Sequence, residues 1–374
     1  MDSSFRLAQL AKSAASDAGF DLCGIAAISE PEFRELAHFP AWIAAGYAGE
    51  MEYLKSKDER GQLKRASPRA TAPWARSVIV CALNYDTDEP YSTEVAHHRE
   101  RGWIARYAWS RQDYHDVLLK KLRQVEAKLH QTGDSSSASE ARPQPELITR
   151  CYVDTGPHVE RVYAKYAGIG WIGKNTCILN EKLGSWIFLG VILTSLELAP
   201  DLPAADRCGT CTRCIDACPT NALLEPYKLD ATRCISYLTI EKRGTIPVEL
   251  RPGIGNHVFG CDICQDVCPW NGGAAPTPRS SATFASAPGL QPRPELVNPA
   301  LDWLAEMSRE DFQQTFKGSP LKRAKYSGLR RNAAVAMGNS GERAFIPWLE
   351  KLACDEDSIV ASHAAWALQQ LAKP

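Results

Sequence analysis

The sequence predicts an α+β layered body over residues 1–200, a cysteine-rich segment over 201–275 and a helical-repeat end over 276–374. Three observations carry this division. Helical and strand patterns mix through the first part without strict βαβ alternation, which favours layered α+β packing. Eight of the thirteen cysteines lie between Cys208 and Cys268. At the end of the chain, NAAVAMG at 332–338 recurs as HAAWALQ at 363–369, a shift of 31 residues that suits stacked helices of the HEAT kind. Only about two such units are present, so they must pack on the main body.

Each element has its own signal. Phe5, Leu7, Leu10, Ala11, Ala14 and Ala18 recur at helical spacing, and Gly19 is placed to end that helix before an apolar strand at 22–28. A second helix is expected over 32–45, and a buried strand over 77–83 follows the charged stretch that ends in RASP. Residues 84–102 show no period and read as a loop. Val117, Leu118, Leu122, Val125 and Leu129 share one face of a helix over 114–130. The polar stretch 131–145, QTGDSSSASEARPQP, has the composition of an exposed excursion. A strand at 148–153, a helix near 158–167, the turn GIGWIGKN and strands at 176–179 and 185–194 complete the first part. Residues 271–299, rich in Pro, Ala and Ser, are expected to wrap the body as a linker.

Composition excludes little. With 44 % hydrophobic and 23 % charged residues the chain reads as soluble and globular. Its net charge of -1 means that an anionic partner must be met by a local basic patch. The amino terminus lacks an apolar signal core, and the longest apolar run, 186–193, is far too short to span a bilayer. A cytoplasmic protein without membrane association is expected.

The cysteines carry the strongest signal. CGTCTRCIDACP is C-x2-C-x2-C-x3-C-P, the spacing of bacterial ferredoxins, and CDICQDVCP echoes it. Three thiolates on one tight loop reach three irons of a single cubane; the fourth, displaced by a longer step and a proline, serves the other cluster. Cys208, Cys211 and Cys214 are therefore expected to hold one 4Fe-4S cluster, completed by Cys268. Cys218, Cys261, Cys264 and Cys234 would hold the second. No cysteine stands where the repeat expects one ahead of Cys261, so the pairing of Cys234, far upstream, is the least determined. Zinc favours two separated C-x2-C pairs, and a disulfide framework favours a small secreted chain; neither describes this pattern. Cys23, Cys81, Cys151, Cys177 and Cys354 sit among apolar residues and read mostly as core.

GIGWIG matches G-x-G-x-x-G, but that fingerprint must follow a strand and open a helix, whereas here a helix precedes it and a strand follows. A dinucleotide loop is not expected.

The blocks RYAWSRQDYH, YVDTGPHVERVYAKYAGIGWIGKNTCIL, ATRCISYLTIEKRGTIP and RNAAVAMGN, with the two cysteine runs, resemble epoxyqueuosine reductases over nearly the whole chain. That resemblance implies a cobalamin-dependent oxidoreductase with two 4Fe-4S clusters. It would perform the last step of queuosine synthesis on the wobble base of tRNA with a GUN anticodon. It would act as a monomer fed by a low-potential electron donor that the sequence does not identify. The implied fold is a nitroreductase-like cobalamin domain akin to that of reductive dehalogenases, a two-cluster ferredoxin-like domain and the HEAT-like helical repeat. The D-x-H-x-x-G motif that supplies a histidine to cobalt elsewhere is absent: Asp113, Tyr114 and His115 come nearest, with Leu118 in the glycine position.

Asp154, in YVDTGP, occupies the family's proton-donor position. To donate near neutral pH it must be desolvated enough to lift its pKa well above the ~3.9 of a free Asp. Its plain alternative is to N-cap a helix starting near Pro157. Lys174, Asn175, Ile178 and Leu189 are candidates for touching the corrin, as is Asp154 itself; Ser236 and Tyr237 could meet it from a cluster loop, and Arg65, Arg106 and Tyr107 are candidates for contact with cofactor or substrate. For tRNA, residues 317–331 hold Lys317, Lys322, Arg323, Lys325, Arg330 and Arg331 and no acid, a strip suited to phosphates or simply to a solvated helix face. A small-molecule cobalamin reductase of the dehalogenase type would bring an export signal and need no basic repeat. A plain electron-transfer protein would not need the first 200 residues.

Overall fold

Four strands form one antiparallel sheet: β1 (Leu22–Ala27), β2 (Ser77–Asn84), β3 (Thr149–Tyr152) and β4 (Ile187–Thr194), in the order β1-β2-β4-β3. The structure is a computed structural model that describes residues 3–29, 33–135, 147–271 and 287–373. Most of the polar excursion and of the Pro/Ala/Ser-rich linker lies outside the described residues.

The continuous apolar run of β2 has a direct cause: the sheet is covered on both faces. Ile79, Cys81 and Leu83 meet α1 (Ser3–Asp17) and α2 (Tyr114–Ser135), while Val78, Val80 and Ala82 meet α3 (Glu160–Tyr166). This is a three-layer α/β/α arrangement. Gly19, at φ +76°, ends α1 as expected, with the Phe20 N–H closing onto the Ala15 carbonyl at 3.0 Å. The single helix expected over 32–45 is corrected. Residues Arg34–His38 form a 3-10 turn and Phe39–Ala44 a separate helix, because Pro40 lacks an N–H and fits only a first turn.

A second core joins the rest. Trp103 and Trp109, from the stretch after β2, pack with Ile235, Leu238, Val258 and Phe259 of the cysteine-rich segment and with the carboxyl-terminal helices. Strand Trp103–Ile104 also pairs in parallel with His257–Phe259.

The end of the chain forms α4 (Lys325–Ser340), α5 (Ile346–Ala353) and α6 (Ser358–Leu371). The repeat read from the sequence places small residues where α4 meets α6: a Cβ on Gly338 would stand 2.7 Å from that of Ala367. Equivalent positions of the repeat reach the same neighbour. Asn332 donates to the Thr239 and Val258 carbonyls at 2.8 Å each, and His363 Nε2 accepts the Ile246 N–H at 3.1 Å. Among the described residues no helix is long and apolar enough to cross a membrane.

Candidate active site

Just beyond β3 the chain turns sharply at Asp154. Its φ is +56°, and the Thr155 N–H closes onto the Val153 carbonyl. Such backbone is rare outside glycine, with Asp and Asn the best-tolerated side chains. The helix-capping role is not filled, because α3 starts only at Glu160 with Val159 as its cap. The carboxylate meets the first turn of α2 instead. Oδ2 accepts the Tyr114 hydroxyl at 2.9 Å and lies 3.5 Å from His115 Nε2, whose Nδ1 is 2.7 Å from Asp113 Oδ1.

The electrostatics follow from this row. Burial pulls His115 down, but its hydrogen bonds to Asp113 and Asp154 outweigh burial and raise its pKa to about 9. The bond from His115, reinforced by that from Tyr114, holds Asp154 below its ordinary value although burial acts the other way. The raised pKa expected for Asp154 is thereby corrected: the proton of the pair rests on His115. Glu160 behaves oppositely. Burial, with the nearby Asp154 charge, pushes it up to about 7, and its Oε1 is buried without a hydrogen-bond partner.

Asp154 and Glu160 line a cavity of about 430 Å³. Tyr107, Ile178 and Leu189 add apolar wall, as do Tyr114 and Phe188, stacked at 4.3 Å. The same wall carries Cys218, Cys234, Cys261 and Cys264. Cys208, Cys211, Cys214 and Cys268 surround a second cavity of about 100 Å³. The two quartets are the ones that the spacing assigns, with Cys234 in the second. Backbone N–H groups point at the sulfurs, from Ser236 and Tyr237 to Cys234, from Ile263 to Cys261 and from Trp270 to Cys268. Such donors suit metal-bound thiolates. Among the described residues no three His, Cys, Asp or Glu side chains close on one point as around a single ion. Cluster thiolates each bind a different iron and stand around the space instead, so the donor set fits cubanes.

Residues 207–271 match the family described as 4Fe-4S double cluster binding domain, and residues 65–155 that described as Epoxyqueuosine reductase QueG, DUF1730. The epoxyqueuosine reductase of Pseudomonas aeruginosa is 40 % identical over 370 residues, 98 % of this chain and 94 % of that protein. The chain belongs to the epoxyqueuosine reductase family. The Escherichia coli K12 member is 36 % identical over 375 residues, covering 98 % of this chain and 89 % of its own. A crystal structure of an epoxyqueuosine reductase with a tRNA-Tyr epoxyqueuosine-modified stem loop is similar at TM-score 0.80 and 32 % identity, over 99 % of this chain and 91 % of that one.

Within this epoxyqueuosine reductase fold, Tyr107, Asp154, Asn175, Ile178, Leu189 and Ser236 line the large cavity. Four other candidates do not, each for a visible reason. Arg106 is 2 % exposed; it donates to Thr87 Oγ1 and to the Glu89 and Pro90 carbonyls, beside Asp86 at 3.5 Å. Arg65 holds the Tyr53 and Gly156 carbonyls, 2.7 Å each, and so fixes the loop after Asp154. Lys174 holds the Gly209 and Cys211 carbonyls at 2.7 and 2.9 Å and lines the smaller cavity. The Tyr237 hydroxyl accepts the Glu50 N–H at 2.9 Å. The polar ends of all four are engaged by other parts of the protein.

Sequence reasoning missed Tyr85, Tyr114, His115, Glu160, Arg161 and Cys177. Cys177, read as core, lines the cavity and hydrogen-bonds Cys264. The sequence shows Asp113, Tyr114 and His115 only as a motif lacking its glycine, whereas the structure bonds Tyr114 and His115 to Asp154 and His115 to Asp113.

The basic strip is also corrected in part. Arg331 is 1 % exposed and donates to the Leu238, Lys242 and Gly244 carbonyls, which leaves nothing for a phosphate. Arg330 pairs with Asp355, and Arg323 bonds Glu241 through two contacts of 2.9 Å. Lys317, Lys322, Arg323 and Lys325 are exposed. Of the strip, Arg323 feels the charge of Asp154, and none of its residues lines the cavity.

Proposed function

We propose that this chain reduces epoxyqueuosine to queuosine at the wobble position of GUN-anticodon tRNA. One observation carries the reading: a single cavity has Asp154 and the second cysteine quartet on its wall. The reaction takes two electrons and two protons and releases the epoxide oxygen as water, leaving an alkene. Two 4Fe-4S clusters on the eight cysteines and a cobalamin in the large cavity supply the electrons when bound, ultimately from a low-potential donor. The residues fit a flat corrin: Ile178, Leu189 and the Tyr114–Phe188 stack give apolar faces, and Asn175 and Ser236 give amide and hydroxyl partners for its side chains.

The chain's own residues do the remaining work. Asp154, once protonated, gives its proton to the leaving oxygen, which would otherwise depart as an unstabilised alkoxide. Lys317, Lys322, Arg323 and Lys325 attract the phosphates of the tRNA and bring its loop to the cavity without reading sequence. The wobble base reaches the cavity by leaving its stack. The first part is taken as a nitroreductase-like cobalamin domain (1–200), the second as ferredoxin-like (201–275), and the last as a HEAT-like repeat (276–374). The enzyme is taken to work as a cytoplasmic monomer.

The deciding experiment is anaerobic reconstitution with iron, sulfide and cobalamin, then reduction with tRNA carrying epoxyqueuosine and nucleoside analysis. Queuosine should appear and depend on both cofactors; its absence from fully loaded protein would overturn the reading. Replacing Lys317, Lys322 and Lys325 by Ala should weaken tRNA affinity and flatten its dependence on salt, by about 0.7–0.9 in log-log slope for each phosphate left without its lysine. Binding titrations at several salt concentrations check this.

A further inference from the structure

We propose that His115, oriented by Asp113, is a proton relay that reloads Asp154 from solvent during turnover. The relay rests on the reading of Asp154 as proton donor and goes beyond it to the source of the proton.

Asp154 has to be recharged in every cycle. The reduction breaks both C–O bonds of the epoxide, forms a C=C bond and sends the oxygen away as water, consuming two electrons from the low-potential donor and two protons. Without substrate the Asp154 side chain is 68 % exposed, but it lines the cavity, and a substrate seated there covers the spent carboxylate. A second path to water is therefore needed, and α2 supplies one.

Three features of the first turn of α2 make it a path. Asp113 Oδ1 accepts the His115 backbone N–H at 3.0 Å and faces ring Nδ1 at 2.7 Å, so a single carboxylate oxygen fixes both the helix start and the ring. With Nδ1 committed as a donor to Asp113, Nε2 is the nitrogen presented to Asp154 Oδ2, 3.5 Å away. The ring is 30 % exposed but does not line the cavity, so its contact with water stays open when the cavity is filled.

The oxygens of Asp154 divide accordingly. Oδ2 takes the Tyr114 hydroxyl and His115, whereas Oδ1 has no hydrogen-bond partner among the described residues and is left for the substrate. His115 Nε2 gives its proton to Asp154 Oδ2, the carboxyl group turns to present that O–H to the leaving oxygen, and His115 regains a proton from solvent. The charged neighbours favour this resting state. Asp113 and Asp154 face the ring and keep it protonated below about pH 9. Around Asp154, Arg161 of α3 favours the carboxylate, while Arg323 lies further off; Glu160, Tyr53 and Tyr107 feel its charge and are themselves pushed toward the neutral form by burial.

The test is single-turnover reduction of an epoxyqueuosine-modified tRNA stem loop by reconstituted holoenzyme, from roughly pH 6 to pH 10. Wild type, His115→Ala, Asp113→Asn and Asp154→Asn are compared. His115→Ala should be slower by about 10²-fold and regain rate when imidazole is added. Asp113→Asn keeps the ring and should move the alkaline limb of the profile to lower pH. A merely structural ion pair predicts neither the rescue nor the moved limb. If Asp154→Asn is inactive while His115→Ala and Asp113→Asn keep the wild-type rate and profile, the relay is wrong and the donor reading stands. If Asp154→Asn is also fully active, the donor reading fails and takes the relay with it. Should His115→Ala lose its melting transition or cluster absorbance, the limb of Asp113→Asn decides alone: a moved limb supports the relay and an unmoved one overturns it.

Discussion

Asp154 and Glu160 are two carboxyl groups on one cavity wall whose surroundings drive them apart, the first held ionised by His115 and the second pushed to about 7 by burial. Replacing Asp154 by Asn keeps a side chain that tolerates φ > 0, so the variant reports the loss of the acid rather than of the turn. Asp154→Asn should retain both clusters and lose about 10²–10⁴-fold in turnover, as judged by absorbance and nucleoside analysis. Glu160 makes a different prediction. Between the ~4.5 of the unfolded chain and about 7, unfolding releases a proton that the native state holds, so native stability falls as pH rises through that window. Glu160→Gln should therefore gain on the order of 2–3 kcal/mol in chemical denaturation at pH 8 and little at pH 4.5. The place of Asp154 was legible in the sequence as part of YVDTGP. Its ionisation was not, because that depends on His115, 39 positions earlier in the chain, meeting it across the layer between α2 and the end of β3.

The repeat at the carboxyl end was legible for a simple reason: helices that pack closely need small residues where they touch, and Gly338 and Ala367 mark the place. What the pattern could not reveal is the direction in which α4 sends its polar residues. Arg331 looks like its basic neighbours in a composition window, yet it is turned inward with Asn332 to satisfy carbonyls of the segment 238–258. Asn332→Ala would leave the Thr239 and Val258 carbonyls without that donor and remove an acceptor of Arg331. A loss of roughly 2–4 kcal/mol is expected in urea denaturation, with the protein's cysteine-rich segment loosened as well. The same inward turn explains Arg106. RYAW does belong to the frame of the site, but its arginine anchors the 86–90 loop while its backbone N–H bonds Asp262, beside Cys261, at 2.7 Å.

Three buried histidines, His158, His257 and His363, are each lowered to about 4 by burial. Below about pH 6.5 the unfolded chain binds protons at these rings and the native chain does not until about pH 4, so stability must fall as the solution is acidified across that window. Denaturant midpoints at pH 7.5 and 5 should show the loss, with cluster absorbance followed separately. The three-part division is an expectation from periods and spacing, each stretch having its own. The second core was not legible, since it gathers Trp103, Phe259 and Val335 from all three stretches.

Lys174 and Asn175 hang the glycine-rich turn on the carbonyls of Gly209, Cys211 and Cys264, and Asn175 lines both cavities. The wall that shapes the large cavity is thus suspended from the loops that hold the iron. A substitution that loosens those loops should therefore reshape the large cavity as well.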